Sequence, residues 1–83
     1  MNKTLLQRKH AKKRLLQRFG IIADREKYKQ LCNMIMSGNS TPIVKQSNRI
    51  SIHEVEFEGN KIKCVYDRNR HNIVSVLTES MKV

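Results

Sequence analysis

Aromatic residues are scarce in this chain, which has no tryptophan, two tyrosines and two phenylalanines. Proteins that bind single-stranded nucleic acid without sequence preference stack successive bases on several exposed rings. So few rings argue against a stacking platform of that kind. They do not argue against a nuclease, which needs charge and proton transfer more than stacking surface.

Long apolar runs are also missing. Stretches such as IVSVL at Ile73 to Leu77 are far shorter than the roughly 20 residues that a transmembrane helix needs. The first residues are basic, but they lack the apolar segment and the small-residue cleavage site of a secretory signal. We therefore expect a cytoplasmic protein that has no membrane partner.

The sequence contains no HExxH motif, no P-loop and no cluster of carboxylates, so it does not support metal-dependent nuclease chemistry. Its two cysteines, Cys32 and Cys64, are too far apart for a CxxC metal or redox motif. We expect them to be small buried apolar residues. Neither a metal site nor a cofactor is predicted.

Acidic residues are few, with seven against 17 lysines and arginines, which gives a formal charge of +10. Such self-repulsion is typical of proteins that meet a polyanion, and nucleic acid is the leading candidate, ahead of an anionic membrane surface. A helix-turn-helix reader of DNA is disfavoured, because the more basic helix comes first and the recognition helix of that motif comes second.

Residues 1–83 suffice for one small domain, with a helical part at 3–37 and a sheet part at 42–79. Apolar residues at helical spacing predict a first helix from Thr4 to Phe19, and its apolar stripe comprises Leu5, Ala11, Leu15, Leu16 and Phe19. A second helix is expected to begin after the capping residue Asp24 and to close at Gly38. Its inner stripe comprises Tyr28, Leu31, Cys32 and Ile35.

After the loop SGNSTP the composition shifts to β-branched residues with a period of two. This pattern predicts a twisted antiparallel sheet of about four strands and, with the helices packed on it, an α+β fold. KCVYD and NIVSVL have nearly continuous apolar centres and are expected in the middle of the sheet. A tight turn is expected around Gly59 and Asn60. The predicted strands are Ile43 to Lys45, Arg49 to Phe57, Lys61 to Asp67 and Ile73 to Thr78.

The first helix carries the segment RKHAKKRLLQRFG, which has no acid. His10, Arg14 and Arg18 recur every four residues and fall beside the apolar stripe, at the rim of the expected core. Arginine binds phosphate oxygens bidentately and keeps its charge at any cellular pH. The row is therefore a candidate phosphate site, and three lysines extend the positive potential around the helix: Lys9, Lys12 and Lys13. A solvated basic face is the alternative interpretation.

The sheet half adds residues suited to cleaving RNA without a metal, which needs proton transfer and cations around the phosphorane. His53 lies within a strand on the side opposite Glu54, and histidine titrates near neutral pH. Tyr66 and Thr78 lie at the ends of the last two predicted strands. Two lysines share one face of the third strand and are candidate phosphate ligands: Lys61 and Lys63. His71 is expected in solvent.

HAKKRLLQRFGI at His10 to Ile21, followed by a second helix and then by KCVYD and NIVSVLTES, resembles the small ribonuclease toxins of the barnase, EndoU, colicin and RelE superfamily. The compact versions from phages and polymorphic toxins are the most similar. The resemblance implies a metal-independent endoribonuclease, with His10 and Arg14 on the helix and Thr78 on the last strand in its site. His53, Lys63 and Tyr66 are candidates on chemical grounds alone. Ser75 departs from the pattern, because it interrupts a strand that is usually continuous and apolar.

Three functions therefore stand at this point. The first is a toxin-like hydrolase, an endoribonuclease that cuts RNA by attack of the 2′-hydroxyl. The second is a non-catalytic nucleic-acid-binding or inhibitor protein of the kind that a phage encodes. The third is an interaction module whose basic helix docks on an acidic protein, such as an antitoxin or immunity partner.

Overall fold

The computed structural model describes residues 3–81 and shows two helices followed by a four-stranded antiparallel sheet. The strands lie in the order in which they occur along the chain, so the sheet is a simple meander. The predicted α+β fold is confirmed. The elements are α1 (Lys3–Phe19), α2 (Arg25–Met36), β1 (Thr41–Lys45), β2 (Ile50–Phe57), β3 (Asn60–Asp67) and β4 (Asn72–Leu77).

Local signals in the sequence set the ends of α2. The side chain of Asp24 accepts a hydrogen bond from the backbone N–H of Lys27 at 2.8 Å, which satisfies one free donor of the first turn. At the other end Gly38 adopts a φ of +82°, and the N–H of Asn39 reaches back to the carbonyl of Met34 at 2.8 Å. This reversal needs a left-handed residue, which explains why a glycine stands there.

The start of β1 and the position of the hairpin turn differ from the sequence-based expectation. β1 begins at Thr41 and includes Pro42, because an edge strand tolerates a residue that has no N–H to donate. The hairpin turn is formed by Glu58 and Gly59, both with positive φ, whereas Asn60 already pairs with Phe57. Two left-handed residues are the geometry of a tight two-residue hairpin, so the turn lies one residue earlier than expected.

The core lies between the two helices and one face of the sheet. α1 packs along β4, and α2 crosses β2 and β4. Every apolar residue predicted for the inner stripe of α2 is buried, as are both free cysteines. On α1 only Ala11 and Leu15 are fully buried, whereas Leu5 and Leu16 are more than half exposed, so its apolar stripe is narrower than expected.

The expected central position of NIVSVL is wrong, because β4 is an edge strand. β4 is apolar although it is an edge strand, because the helices cover one of its faces and also its free edge. The hydroxyl of Tyr28 donates to the carbonyl of Ile73 at 2.8 Å and accepts from the N–H of the same residue at 3.0 Å. Arg18 donates to the carbonyl of Val76 at 2.5 Å. Side chains thus satisfy backbone groups that a further strand would otherwise pair.

Removing the hydroxyl of Tyr28 leaves a buried N–H and a buried carbonyl of β4 without their partner. We expect Tyr28→Phe to lower the free energy of unfolding by about 1–3 kcal/mol, measured by urea denaturation. Tyr66→Phe is the matched control, since the hydrogen bond that its hydroxyl forms within residues 3–81 is to the exposed His71, at 3.3 Å. Equal losses in the two variants would contradict this account of the β4 edge.

Candidate active site

A groove of about 420 Å³ runs between one flank of α1 and the edge of the sheet at β4. It brings together one histidine and three arginines, and none of the described residues that line it is acidic. We call it the His10 groove. Its lining comprises Leu6, Gln7, His10 and Arg14 from α1, Arg49 from the residues before β2, Arg70 from the turn after β3, and Val74 and Ser75 from β4.

The helical periodicity places the first two of these charged groups. His10 and Arg14 are one turn apart, and they flank Ala11 and Leu15, which have no exposed surface. His10 is exposed and Arg14 half-exposed, so both reach solvent from the rim of the core, as the sequence predicts. The Nη1 of Arg14 donates to Oε1 of Gln17 at 2.8 Å, which restrains the guanidinium.

The other two arginines are held by one buried carboxylate. Asp67, at the end of β3, has no exposed surface, and its Oδ2 lies 3.3 Å from both Nε of Arg49 and Nη1 of Arg70. Gln7 of α1 donates to the same oxygen at 3.1 Å, and the N–H groups of Asn69 and Arg70 donate to Oδ1 at 3.0 and 3.2 Å. Asp67 therefore fixes both arginines relative to α1.

Asp67 is ionised despite its burial. Burial by itself raises the pKa of a carboxyl group, because it disfavours the charged form. The hydrogen bonds from Gln7, from the backbone of Arg70 and Asn69 and from the Arg70 side chain outweigh that effect, so the pKa of Asp67 lies below its ordinary value of 3.8. One negative charge is thus shared between Arg49 and Arg70, and with Arg14 the groove keeps an excess of positive charge.

His53 and Tyr66 are brought together, but on the face of the sheet that the helices cover. Their rings meet edge to face with centroids 5.9 Å apart. Nε2 of His53 lies 2.8 Å from the hydroxyl of Ser51, and the Tyr66 hydroxyl lies 3.3 Å from Nδ1 of His71. Burial and then the charge of Arg68 lower the pKa of His53, which favours its neutral form. This second cluster shares no residue with the lining of the His10 groove.

Lys61 and Lys63 lie on the other face of the sheet. They pair across the strands with Glu56 and Glu54, so each lysine stands opposite an acid. Glu79 adds a carboxylate 3.9 Å from Lys61 and a carbonyl 3.3 Å from Lys63. The two lysines therefore contribute to neither histidine cluster.

Thr78 follows β4 directly, at the end of that strand remote from Asp67, and its hydroxyl contacts that of Ser80 at 3.1 Å. It lines neither the His10 groove nor the His53 cluster. Arg18 is also outside the groove, because its guanidinium bonds to the backbone of β4. Lys9 and Lys12 lie on the opposite flank of α1, and Lys13 is exposed.

Sequence reasoning missed Arg49, Arg70, Ser75 and the role of Asp67. A signal for Asp67 was present, since it is a single acid between a buried strand and the basic turn RNR. Ser75 also had a signal, because it is a polar residue inside an apolar strand. In the structure it is half-exposed and lines the groove with His10 and Arg14.

No protein-family model, curated protein or solved structure matches the chain. Among residues 3–81, no helix has the length and apolar character needed to cross a membrane. Within the same range, no three His, Cys, Asp or Glu side chains are grouped so that they could hold a metal ion.

We expect Asp67→Asn to lower the free energy of unfolding by about 3 kcal/mol at pH 7, because it leaves the two arginines without a charged partner. The folded-state pKa of Asp67 is depressed, so its contribution is present above pH 3.8 and is lost as the pH falls through that lower pKa. Urea denaturation at several pH values checks both points. The difference between wild type and variant should shrink below pH 4, and a constant difference would contradict the assignment.

Proposed function

We propose that the protein is a metal-independent endoribonuclease whose active site is the His10 groove. The observation that carries the proposal is the lining of this groove, where one exposed histidine and three arginines converge with no acid at the surface. The resemblance to small ribonuclease toxins supports the same activity, because it implies a site that contains His10 and Arg14.

The chemistry needs a proton acceptor for the 2′-hydroxyl and positive charge around the phosphorane. Histidine is the side chain best suited to proton transfer near neutral pH, and His10 is the histidine in this lining, so we assign it removal of the 2′-hydroxyl proton. The 2′-oxygen then bonds to phosphorus, the bond to the 5′-oxygen breaks, and the leaving oxygen takes a proton from solvent. Arg14, Arg49 and Arg70 stabilise the charge that develops on the phosphoryl oxygens.

Electrostatics outside the groove favour the same partner. Ten of the 17 lysines and arginines lie between Lys3 and Met36, together with only two of the seven acids. This excess on the helical half also supports the second candidate, a nucleic-acid-binding or inhibitor protein without catalysis. For either function we propose RNA as the partner and the cytoplasm as the compartment, with an antitoxin or other acidic protein as a further possible ligand.

The test is incubation of the purified protein with labelled RNA in EDTA. We expect discrete fragments that end in 2′,3′-cyclic phosphate. His10→Ala should slow cleavage by about 10²–10⁴-fold with little change in RNA affinity, because it removes proton transfer and no permanent charge. Arg14→Ala should reduce both cleavage and affinity. Lys45→Gln is the charge control, since Lys45 is exposed on β1 and lies outside the groove.

His53→Ala separates the two histidine clusters. Cleavage that survives this substitution and is lost in His10→Ala assigns the reaction to the groove. The reverse result would move the site to the helix-covered face of the sheet and would refute the proposal. RNA that binds but stays intact with the wild-type protein would leave the non-catalytic binder as the function.

A further inference from the structure

A second basic cleft lies on the other flank of α1, where this helix meets α2. Its volume is about 560 Å³, and it is lined by five cationic side chains with an apolar floor. We call it the α1–α2 cleft. The cations are Arg8, Lys9 and Lys12 from α1 and Arg25 and Lys29 from α2, and the floor is formed by Leu5 and Tyr28.

The cations of this cleft have little compensating charge. In the part of the chain that the structure describes, neither Arg25 nor Lys29 forms an ion pair, and no acid lines the cleft. Arg8 donates to Oδ1 of Asn72 at 3.4 Å, a neutral acceptor that positions the guanidinium without cancelling its charge. Five like charges around one concavity repel each other unless an anion lies between them.

The floor indicates what kind of anion fits. The ring of Tyr28 is 5% exposed, with Nζ of Lys12 at 5.9 Å from its centroid, and its hydroxyl is bonded to Ile73. A ring held in this way offers no free face on which a base can stack. The cleft is therefore suited to phosphates, which it would bind without reading sequence.

Helix geometry connects the two sites. Lys9 and Lys12 project from one flank of α1, whereas His10 and Arg14 project from the other. The exposed Lys13 lies on the outward face between them. A helix is roughly 10–12 Å wide with its side chains, so positive charge continues across α1 over a distance that a few nucleotides span.

We propose that the α1–α2 cleft binds backbone phosphates of the same RNA strand whose scissile phosphate lies in the His10 groove, so that the strand crosses α1 over Lys13. This inference rests on the proposed ribonuclease function for the identity of its ligand. It adds a binding site that includes two residues of α2, Arg25 and Lys29, outside the basic helix.

The test is the salt dependence of RNA binding. The probe is a labelled unstructured RNA long enough to cross α1, bound to His10→Ala protein so that it stays intact and followed by fluorescence anisotropy. Adding Arg25→Gln and Lys29→Gln removes two exposed charges. We expect binding to weaken on the order of tenfold, and the slope of log affinity against log salt to fall by about 1.4, since each phosphate contact with a single strand contributes about 0.7.

Two controls give the result its meaning. Lys45→Gln in the same background should leave both affinity and slope unchanged, because β1 lies outside both sites. A dinucleotide, which carries one phosphodiester and cannot cross α1, should compete equally well against protein with and without the two α2 substitutions. A slope unaffected by Arg25→Gln and Lys29→Gln would overturn the inference, as would an equal effect on the dinucleotide.

The outcomes separate this inference from the proposed activity. If wild-type protein cuts RNA while the α2 substitutions leave the slope unchanged, the ribonuclease proposal stands and the cleft has another role. If the slope falls as expected while wild-type protein leaves RNA intact, the strand crosses α1 in a protein that only binds. Absence of RNA binding would refute both.

Discussion

The buried carboxylate of Asp67 is the interaction on which the rest of the structure depends. It ties three parts of the chain together: α1 through Gln7, the segment before β2 through Arg49, and the turn after β3 through Arg70. A buried charge is costly unless it is paired and hydrogen-bonded, and here both oxygens have several donors. Without this anion, two guanidinium groups that lie within 3.3 Å of one oxygen atom would repel each other.

The His10 groove and the α1–α2 cleft lie on opposite flanks of one helix, α1. α1 contributes side chains to both, has no acid of its own, and is anchored through Ala11 and Leu15. Because it has no acid, it lacks the intrahelical ion pairs that usually stabilise an exposed helix. Its stability therefore depends on packing against β4, which explains why the strand beneath it is apolar although it lies at the sheet edge. The helix that carries the most positive charge is therefore also a helix on which the core depends.

Periodicity and capping were sufficient to predict most of the fold. Asp24 and Gly38 act locally, so their effects can be read within a few residues. The rim position of His10 and Arg14 follows from a spacing of four. Strand alternation likewise predicts that His53 and Glu54 lie on opposite faces of the sheet. It does not predict which of these two faces carries Lys61 and Lys63. Their face depends on the register between strands, which is a long-range property.

The remainder of the candidate site could not be read from local patterns. Arg49, Arg70 and Ser75 come from three separate segments, and they come together beside α1 because this helix packs on the edge strand β4. A continuous apolar strand is normally central, so the sequence predicted a position in the middle of the sheet for β4. Once β4 is known to be covered by helices, the polar Ser75 within it is no longer an interruption. Together with Val74, it forms the part of the groove lining that comes from β4.

The groove also has a consequence for the order of events during translation. Gln7 bonds to a residue 60 positions further along the chain, and Arg8 to one 64 positions further. α1 leaves the ribosome before β3 and β4, and β4 is the strand on which it packs. A nascent chain therefore exposes the basic residues of α1 beside ribosomal RNA until β4 has emerged. Its groove is assembled only when the last strand has emerged.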